Sequence, residues 1–160
     1  MITKDYLHII FDYKNGNLYW KERRGGKIVA GSKAGSYAPS GYFNVEINYV
    51  KYRLHRMIFM WHHGYLPKEV DHINGNKLDN RIENLRPATK SQNLRNAGIR
   101  KTNSSGYKNV TWRKDNKAWA VALRYNGKPL HIGFFKDLEL AGLVAEEARN
   151  KYHGKFAKHY

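Results

Sequence analysis

The chain has 160 residues, enough for one domain of ordinary size or two small ones, and its 29 Lys and Arg against 13 Asp and Glu give a formal charge of +16. This positive charge, together with 14% aromatic residues, favours a folded protein that binds nucleic acid over a disordered basic tail. The absence of cysteine excludes disulfide bonds and cysteine-ligated zinc and fits a reducing cytoplasm. No long apolar stretch is present, which argues against binding to a membrane.

The first part of the chain predicts hairpins followed by one helix. Residues 7–54 contain short β-type runs such as LYW and YFNVEINYVKYRL, separated by the turn sequences NGN, RRGG and PSGY. HRMIFMWHH, residues 55–63, has Met57, Ile58 and Trp61 at helical spacing, and the following GYLP ends the predicted helix.

VDHINGNKLDNRIENLR, residues 70–86, combines an Asp-His pair with four Asn and three basic residues. One interpretation is a polar hairpin, because Asn-Gly at 74–75 favours a type I′ turn and the other amides can bond the loop to itself. The other interpretation is phosphodiester hydrolysis, which needs a base to deprotonate water and a cation to neutralise the charge that develops on the phosphate. Histidine suits the base near neutral pH, and Mg²⁺ prefers oxygen ligands such as Asp and Asn. At a strand end, Asp71 and His72 point to opposite faces.

DHINGNKLDNRIENLRPATKSQN resembles the active-site segment of HNH endonucleases, particularly the phage and intron-encoded homing enzymes, and YRLHRMIFMWHHGYLP is similar to the stretch that precedes it. The resemblance implies a ββα-metal core over about residues 66–97, in which a strand, a loop, a second strand and a helix surround one Mg²⁺ or Mn²⁺. It implies His72 as general base, Asp71 and Asn93 as metal ligands, and Asn84 as the residue that braces the loop around His72. Many relatives have histidine where this chain has Asn93, but an amide oxygen is also a ligand for a hard ion.

Basic residues and further histidines lie near this segment. We expect Arg81 and Arg86 to contact phosphate rather than to take part in catalysis. His55, His62 and His63 do not predict a zinc site, because zinc needs about four well-placed ligands; packing or phosphate contact is the expectation for them. His8, His153 and His159 do not belong to a recognisable motif, and we assign them no role.

The second part of the chain predicts a small sheet packed on one helix. GIRKTNSSG, residues 98–106, has the polar and glycine-rich composition of a linker. KNVTWRKDNKAWAVALRYNGKPLHIGFF then contains three β-type runs joined by DN and NG turns, and KDLELAGLVAEEARNKYHG predicts a helix. Alternation along the middle strand places Trp119, Val121 and Leu123 toward the helix and Arg124 on the outer face.

GYKNVTWRKDNKAWAVAL, HIGFF and ELAGLVAEEARNKYHGKFA are together similar to the Apetala-type, or ethylene-response-factor, DNA-binding domain. That family lays its three-stranded sheet in the major groove. The resemblance implies DNA contacts from Lys108, Thr111, Arg113, Arg124 and His131. Several of the family's arginine and tryptophan contacts are replaced in this chain, so the family's target sequence does not transfer.

Together these patterns predict an α+β protein with N-terminal hairpins and the ββα-metal core in an HNH domain over residues 1–97, a linker over 98–106, and an Apetala-type domain over 107–160. We expect a monomeric, site-directed, metal-dependent endonuclease of the homing type that acts on double-stranded DNA in the cytoplasm of a bacterial host, nicking one strand per active site and leaving 3′-hydroxyl and 5′-phosphate ends. A DNA-binding regulator that does not cut, an inactive relic of the nuclease, and an RNA-binding protein remain alternatives. The target site, the nicking of one strand or cutting of both, and an intron origin stay open.

Overall fold

The computed structural model describes residues 2–26 and 28–159 and shows a mixed α and β protein, in agreement with the α+β prediction. The chain divides into two compact units, residues 1–89 and 90–160. This division lies ahead of the predicted linker at 98–106, and the helix that carries Asn93 therefore belongs to the second unit. No helix in the described part of the chain is long and apolar enough to span a membrane.

Over its described residues, 2–26 and 28–89, the first unit contains two α-helices and four short antiparallel ladders of strands. Its elements are α1 (Lys4–Ile10), β1 (Phe11–Lys14), β2 (Asn17–Trp20), β3 (Ser36–Ala38), β4 (Tyr42–Ile47), β5 (Val50–Arg53), α2 (Leu54–His63), β6 (Glu69–His72) and β7 (Leu85–Ala88). The strands form a β1–β2 hairpin, a β3–β4–β5 sheet and a β6–β7 pair. A 3₁₀ turn at Ile82–Asn84 leads into β7.

Helix α1 differs from the sequence prediction, which began β structure at residue 7. The hydroxyl of Thr3 accepts a hydrogen bond from the backbone N–H of Tyr6 and caps the helix. Leu7 and Ile10, three residues apart, then point to the same side and are buried. The cap and this spacing favour a helix despite the β-type residues in the segment.

Helix α2 lies where the pattern at 55–63 predicted a helix and is central to the core of the first unit. Leu54, Met57 and Ile58 on it are almost fully buried. The helix ends at Gly64, which has a positive φ of 77° and donates its N–H to the carbonyl of Met60. α2 thus connects the β3–β4–β5 sheet directly to the segment that begins with β6.

The second unit confirms the prediction of three strands and a helix. It contains α3 (Lys90–Asn96), β8 (Val110–Arg113), β9 (Ala118–Tyr125), β10 (Lys128–Phe135) and α4 (Leu138–His153), with the antiparallel strand order β10–β9–β8. Val110, Val121, Ala141 and Ala145 form its buried core, and Trp119 packs against it. One face of the sheet is therefore covered by α4 and the other face is turned away from it.

Candidate active site

The β6–β7 pair positions the Asp-His pair that the sequence singled out. In its register Asp71 lies opposite Arg86, and His72 lies opposite Leu85. Because successive side chains of a strand point to opposite faces, Asp71 and His72 lie on different sides of this ribbon. Both side chains are buried, each with 4% of its surface exposed.

Asp71 forms an ion pair with Arg86 across the two strands. The Oδ2 atom of Asp71 accepts a hydrogen bond from Nε of Arg86 at 2.8 Å. The Nη2 atom of Arg86 also lies 2.8 Å from this oxygen. The Arg86 side chain is only 12% exposed. Arg86, which we expected to contact phosphate, is therefore placed in a largely buried pair with the proposed metal ligand.

His72 is held by an amide from the loop that joins β6 to β7. Its Nε2 lies 2.9 Å from Oδ1 of Asn80, and the Asn80 side chain is itself buried. Burial lowers the pKa of the His72 imidazole below its usual value, whereas the hydrogen bond with Asn80 acts in the opposite direction. The neutral ring, the form that can accept a proton, is thus favoured at neutral pH.

A second histidine packs against the first. The ring centroids of His55, on α2, and His72 are 4.9 Å apart, and the ring of Tyr42 lies 5.2 Å from that of His55. Burial, followed by the nearby His72, lowers the pKa of His55 to about 3. His55 is therefore a neutral packing partner of His72 at neutral pH, in agreement with the expectation of packing for this residue.

Asn84 closes the loop over residues 73–84. Its Oδ1 accepts from the backbone N–H of Asn74 at 3.0 Å, and its Nδ2 donates to Oδ1 of Asn74 and to the carbonyl of Asp79. The carbonyl of Asn84 also accepts from the N–H of Ile73 at 2.9 Å. A single buried side chain thus joins the start of the loop to its end, which is the geometry that a brace requires.

The outer part of the same loop is bonded largely to itself. Nε and Nη2 of Arg81 donate to the two carboxylate oxygens of Asp79, both at 2.8 Å, and the pKa of Asp79 is lowered to about 2 chiefly by this hydrogen bonding. Side chains of Asn74 and Asn76 accept from backbone N–H groups two residues on. The polar-hairpin interpretation therefore describes this part of the loop, while Asn80 and Asn84 act toward the interior. Arg81 remains 54% exposed and accessible to phosphate.

Two cations beside the histidines were missed by the sequence analysis. The guanidinium of Arg53 lies 4.5 Å from the ring centroid of Tyr42, and Nζ of Lys77 lies 4.7 Å from it. The ring of Tyr42 is 6.2 Å from that of His72. Arg53 and Lys77 thus place positive charge near the candidate base, and their separation in sequence left no local pattern that could have shown it.

The other predicted site residues lie in the second unit. Asn93 lies on α3 and is half-buried. Lys108 is half-buried, and its Nζ donates to the carbonyls of Arg95 and Ala97, while burial lowers its pKa to about 8. This places Lys108 in a structural contact within the unit rather than on the outer face of the sheet.

The remaining four predicted DNA contacts share one face of the β8–β9–β10 sheet. Thr111 pairs with Ala120, Arg113 with Ala118, and His131 with Ala122, which sets their side chains on the same side as that of Arg124. Thr111, Arg113, Arg124 and His131 are all exposed. This is the face turned away from α4; of the alanines that share it, Ala122 is exposed, whereas Ala118 and Ala120 are buried.

The donor chemistry of the first unit fits a hard divalent cation. No three His, Asp or Glu side chains come together as a metal cluster within residues 2–26 and 28–159. Mg²⁺, however, is commonly held by one or two carboxylates and completes its shell with water and substrate phosphate. The carboxylate of Asp71 is of the right type, and the guanidinium of Arg86 beside it weakens the attraction for a metal ion in the absence of DNA.

Comparison with known proteins assigns this chain to a family. The model of the HNH endonuclease family matches residues 52–95. Protein 3.8 of Escherichia phage T7 is 33% identical over 110 residues, which cover 66% of this chain and 88% of that protein. This chain belongs to the HNH endonuclease family. No solved structure gives a significant match.

The matched HNH endonuclease segment contains the site described above. It begins beside Arg53 and His55 and extends through the β6–β7 pair to α3, so that it includes Asp71, His72 and Asn93. An HNH endonuclease domain supports a nuclease function with DNA as the substrate. Most of the second unit lies beyond this segment.

Proposed function

We propose that this protein is a site-directed, divalent-metal-dependent HNH endonuclease of the homing type that hydrolyses DNA phosphodiester bonds with His72 as general base. The observation that carries the proposal is the environment of His72. Its ring is buried against His55, is bonded through Nε2 to Asn80 and follows Asp71 on β6. These contacts support a neutral imidazole held in one orientation, while the acidic oxygen donor on the preceding residue of β6 lies on the other side of the ribbon. The reaction needs a base and an oxygen ligand for a cation, which these two groups would supply.

In the proposed mechanism, each residue of the first unit has a separate task. His72 takes a proton from the attacking water, and Asn84 keeps the loop closed so that the ring does not turn away. Arg53, Lys77 and Arg81 neutralise phosphate charge near the scissile bond. Asp71 and Asn93 are proposed to hold one Mg²⁺ or Mn²⁺, which when bound stabilises charge on the phosphate and on the leaving 3′ oxygen. The products are a 3′-hydroxyl and a 5′-phosphate.

The second unit is proposed to bind double-stranded DNA as an Apetala-type domain. The shared exposed face of Thr111, Arg113, Arg124 and His131 supports this assignment, because a β-sheet with small and basic side chains can enter the major groove. Lys108 is bound to backbone carbonyls and is assigned a supporting position. The two units together would give the enzyme a preferred site, and a single active site per monomer predicts nicking of one strand.

A plasmid assay tests the proposed function. Supercoiled plasmid that carries the gene's own neighbouring DNA is incubated with the protein in Mg²⁺, in Mn²⁺ and in a chelator, and the wild type is compared with His72→Ala. We expect relaxed circles that need the metal and are absent for the variant. His8→Ala, on a histidine that bonds to the backbone of Trp61 instead, is the matched control and should cut normally.

Other results of the plasmid assay and of binding measurements would favour one of the alternative functions. Linear product formed together with the relaxed circles would mean coordinated cutting of both strands. If the protein binds the plasmid in the presence of either metal ion but never cuts it, the proposal of a nuclease is rejected. A DNA-binding regulator or an inactive relic of the nuclease is then favoured. Tight binding to RNA with no affinity for DNA would favour the RNA-binding alternative.

A further inference from the structure

We propose that a basic cavity in the second unit binds phosphate groups of the DNA backbone, with Arg95 and Arg100 as contacts that act in addition to the exposed face of the sheet. This inference rests on the proposed function, because that function supplies DNA as the ligand. It also gives a binding role to residues 98–103, which belong to the segment that the sequence predicted as a linker.

The cavity lies within the second unit and has a volume of about 760 Å³. It is lined by residues of α3 and of the segment 98–103, together with residues of the β8–β9–β10 sheet and the last residue of α4. Sites for small ligands typically have volumes of roughly 300–1,000 Å³. The cavity therefore has room for a phosphate group and the sugar attached to it.

The lining of the cavity is positively charged. It includes the basic side chains of Lys90, Arg95, Arg100, Lys108 and Arg124, and none of the described residues that line it is Asp or Glu. Cations gathered around a concave surface raise the local potential and attract anions. Because the guanidinium fork also matches the oxygens of phosphate, a phosphate ester is the expected class of ligand.

One hydrogen-bond donor in the lining lacks an acceptor. The Nε atom of Arg95 is buried and has no hydrogen-bond partner within residues 2–26 and 28–159. A guanidinium group donates and cannot accept, so the partner that would complete Arg95 is an acceptor such as a phosphate oxygen. A buried donor without a partner is unfavourable, which favours an anionic ligand beside Arg95.

Lys108 adds a second partly desolvated cation to the lining. Its Nζ donates to the carbonyls of Arg95 and Ala97, which ties the end of α3 to the start of β8. Burial, followed by the positive charge of Arg149, lowers the pKa of Lys108 to about 8. A bound phosphate would offset this repulsion and favour the charged form of the amine.

The position of the cavity favours DNA as the source of the phosphate. Thr111 and Arg124 line the cavity and also belong to the exposed face of the sheet that is proposed to enter the major groove. The phosphates of both strands border that groove, so a sheet seated in it would bring backbone phosphates beside the cavity. A free nucleotide carries the same chemical group, and the experiment separates these two sources.

The experiment measures DNA affinity by fluorescence anisotropy at several salt concentrations. It compares the wild type, Arg100→Ala, the double variant Arg95→Ala/Arg100→Ala and the control Lys151→Ala, which removes an exposed cation from α4. In parallel, ¹H–¹⁵N spectra of the guanidinium Nε–H groups are recorded for the full-length wild type. Duplex DNA, inorganic phosphate and adenosine monophosphate are added in separate titrations, and the spectra of the variants identify the signals of Arg95 and Arg100.

We expect duplex DNA to shift the Nε–H signals of Arg95 and Arg100. Arg100→Ala should reduce the slope of log affinity against log salt by about one, and the double variant by about two. Lys151→Ala should leave the slope unchanged. Neither inorganic phosphate nor adenosine monophosphate should shift the two signals at the concentrations at which the duplex does.

Wild-type slopes for Arg100→Ala and for the double variant would overturn the inference. Signals that respond to phosphate or to the mononucleotide but not to the duplex would overturn DNA as the source. If the double variant does not fold, Arg100→Ala and the wild-type spectra still decide between these results.

Failure of the cavity and failure of the proposed function give different results. Unchanged slopes in a protein that cuts DNA with metal reject the cavity alone. A wild type that binds DNA and never cuts it rejects the nuclease, and the slopes and spectra then still report whether phosphate enters the cavity.

Discussion

At the scale of single residues, the candidate site depends on polar groups that are buried in pairs. His72 has Asn80 as its partner, and Asp71 has Arg86. Burying a polar or charged group is unfavourable unless its partner is retained, so each pair constrains its members to one geometry. The sequence analysis predicted that Arg86 contacts phosphate; in the structure it lies opposite Asp71 in the β6–β7 ribbon and pairs with its carboxylate.

Replacing Arg86 should therefore affect stability more than replacing Arg81. Arg86→Ala leaves the 4% exposed carboxylate of Asp71 without its ion-pair partner, and we expect a loss of about 3 kcal/mol in the free energy of unfolding. Arg81 pairs with Asp79 at the surface, where solvent screens the interaction, so Arg81→Ala should have a much smaller effect. Urea denaturation measures both. Equal losses would contradict the buried ion pair.

The buried His55 predicts a pH dependence of stability. Its pKa of about 3 in the fold lies below the usual 6.5, so the unfolded chain binds the proton more readily. Its contribution is absent above about pH 6.5 and destabilises the fold increasingly as the pH falls from 6.5 toward 3, with a slope of at most about 1.4 kcal/mol per pH unit. The His55→Phe variant should show a correspondingly shallower loss of stability in acid. An identical pH profile for wild type and variant would mean that His55 is not buried in neutral form.

At the scale of elements, three pieces of chain separated in sequence build the site. β6 carries Asp71 and His72, α2 supplies His55, and the β1–β2 hairpin supports the loop behind Asn80. The loop itself is closed by Asn84. The Asn residues of the loop over residues 73–84 therefore have two tasks. Some of their amides stabilise the loop, and the amide of Asn80 contacts the imidazole of His72.

Two Asn-Gly turns allow the role of the β1–β2 hairpin to be tested against a matched control. Gly16 has a φ of 77° and Gly127 a φ of 78°, but a Cβ on Gly16 meets the backbone at residues 80–81, whereas a Cβ on Gly127 meets nothing within 4 Å. Both Ala variants lose about 1 kcal/mol or more from the left-handed backbone. Only Gly16→Ala should slow DNA cleavage, by roughly tenfold, as the segment with Asn80 is displaced. Equal cleavage rates would show that the hairpin does not position the loop.

At the scale of the whole molecule, two sets of exposed or partly exposed cations contribute to the charge of +16. In the first unit, Arg53, Lys77 and Arg81 lie near the candidate site. In the second unit, Arg113 and Arg124 lie on the outer face of the sheet. Binding of a polyanion by both sets of cations would release counterions, so DNA affinity should fall steeply as the salt concentration rises.

The salt dependence tests the DNA face of the second unit. Replacing Arg113 and Arg124 together by Ala should weaken DNA binding and reduce the slope of log affinity against log salt by about two, or about one for each phosphate contact. Lys151→Ala, on the exposed side of α4, is the control and should change neither. Fluorescence anisotropy at several salt concentrations measures these slopes. An unchanged slope for the double variant would remove the sheet face from the DNA interface.

Local patterns were enough to predict α2, the three strands of the second unit and α4, because their periodicity lies within a few consecutive residues. Contacts between distant residues could not be predicted in this way. The sequence offers four Asn in residues 70–86, and only the closed loop shows that Asn80 is the one that meets His72. Likewise, the sequence does not distinguish Lys108 from other basic residues next to a strand. Only the structure shows that it is half-buried and that its Nζ donates to two backbone carbonyls.

The most direct test of the account is the single-turnover rate of DNA cleavage by wild type and His72→Ala, measured in Mg²⁺ with the DNA fully bound. Removing a general base should lower this rate by a factor of roughly 10² to 10⁴, while DNA affinity stays nearly the same. Metal-dependent cleavage by His72→Ala at the wild-type rate would contradict the assignment of His72 as the base.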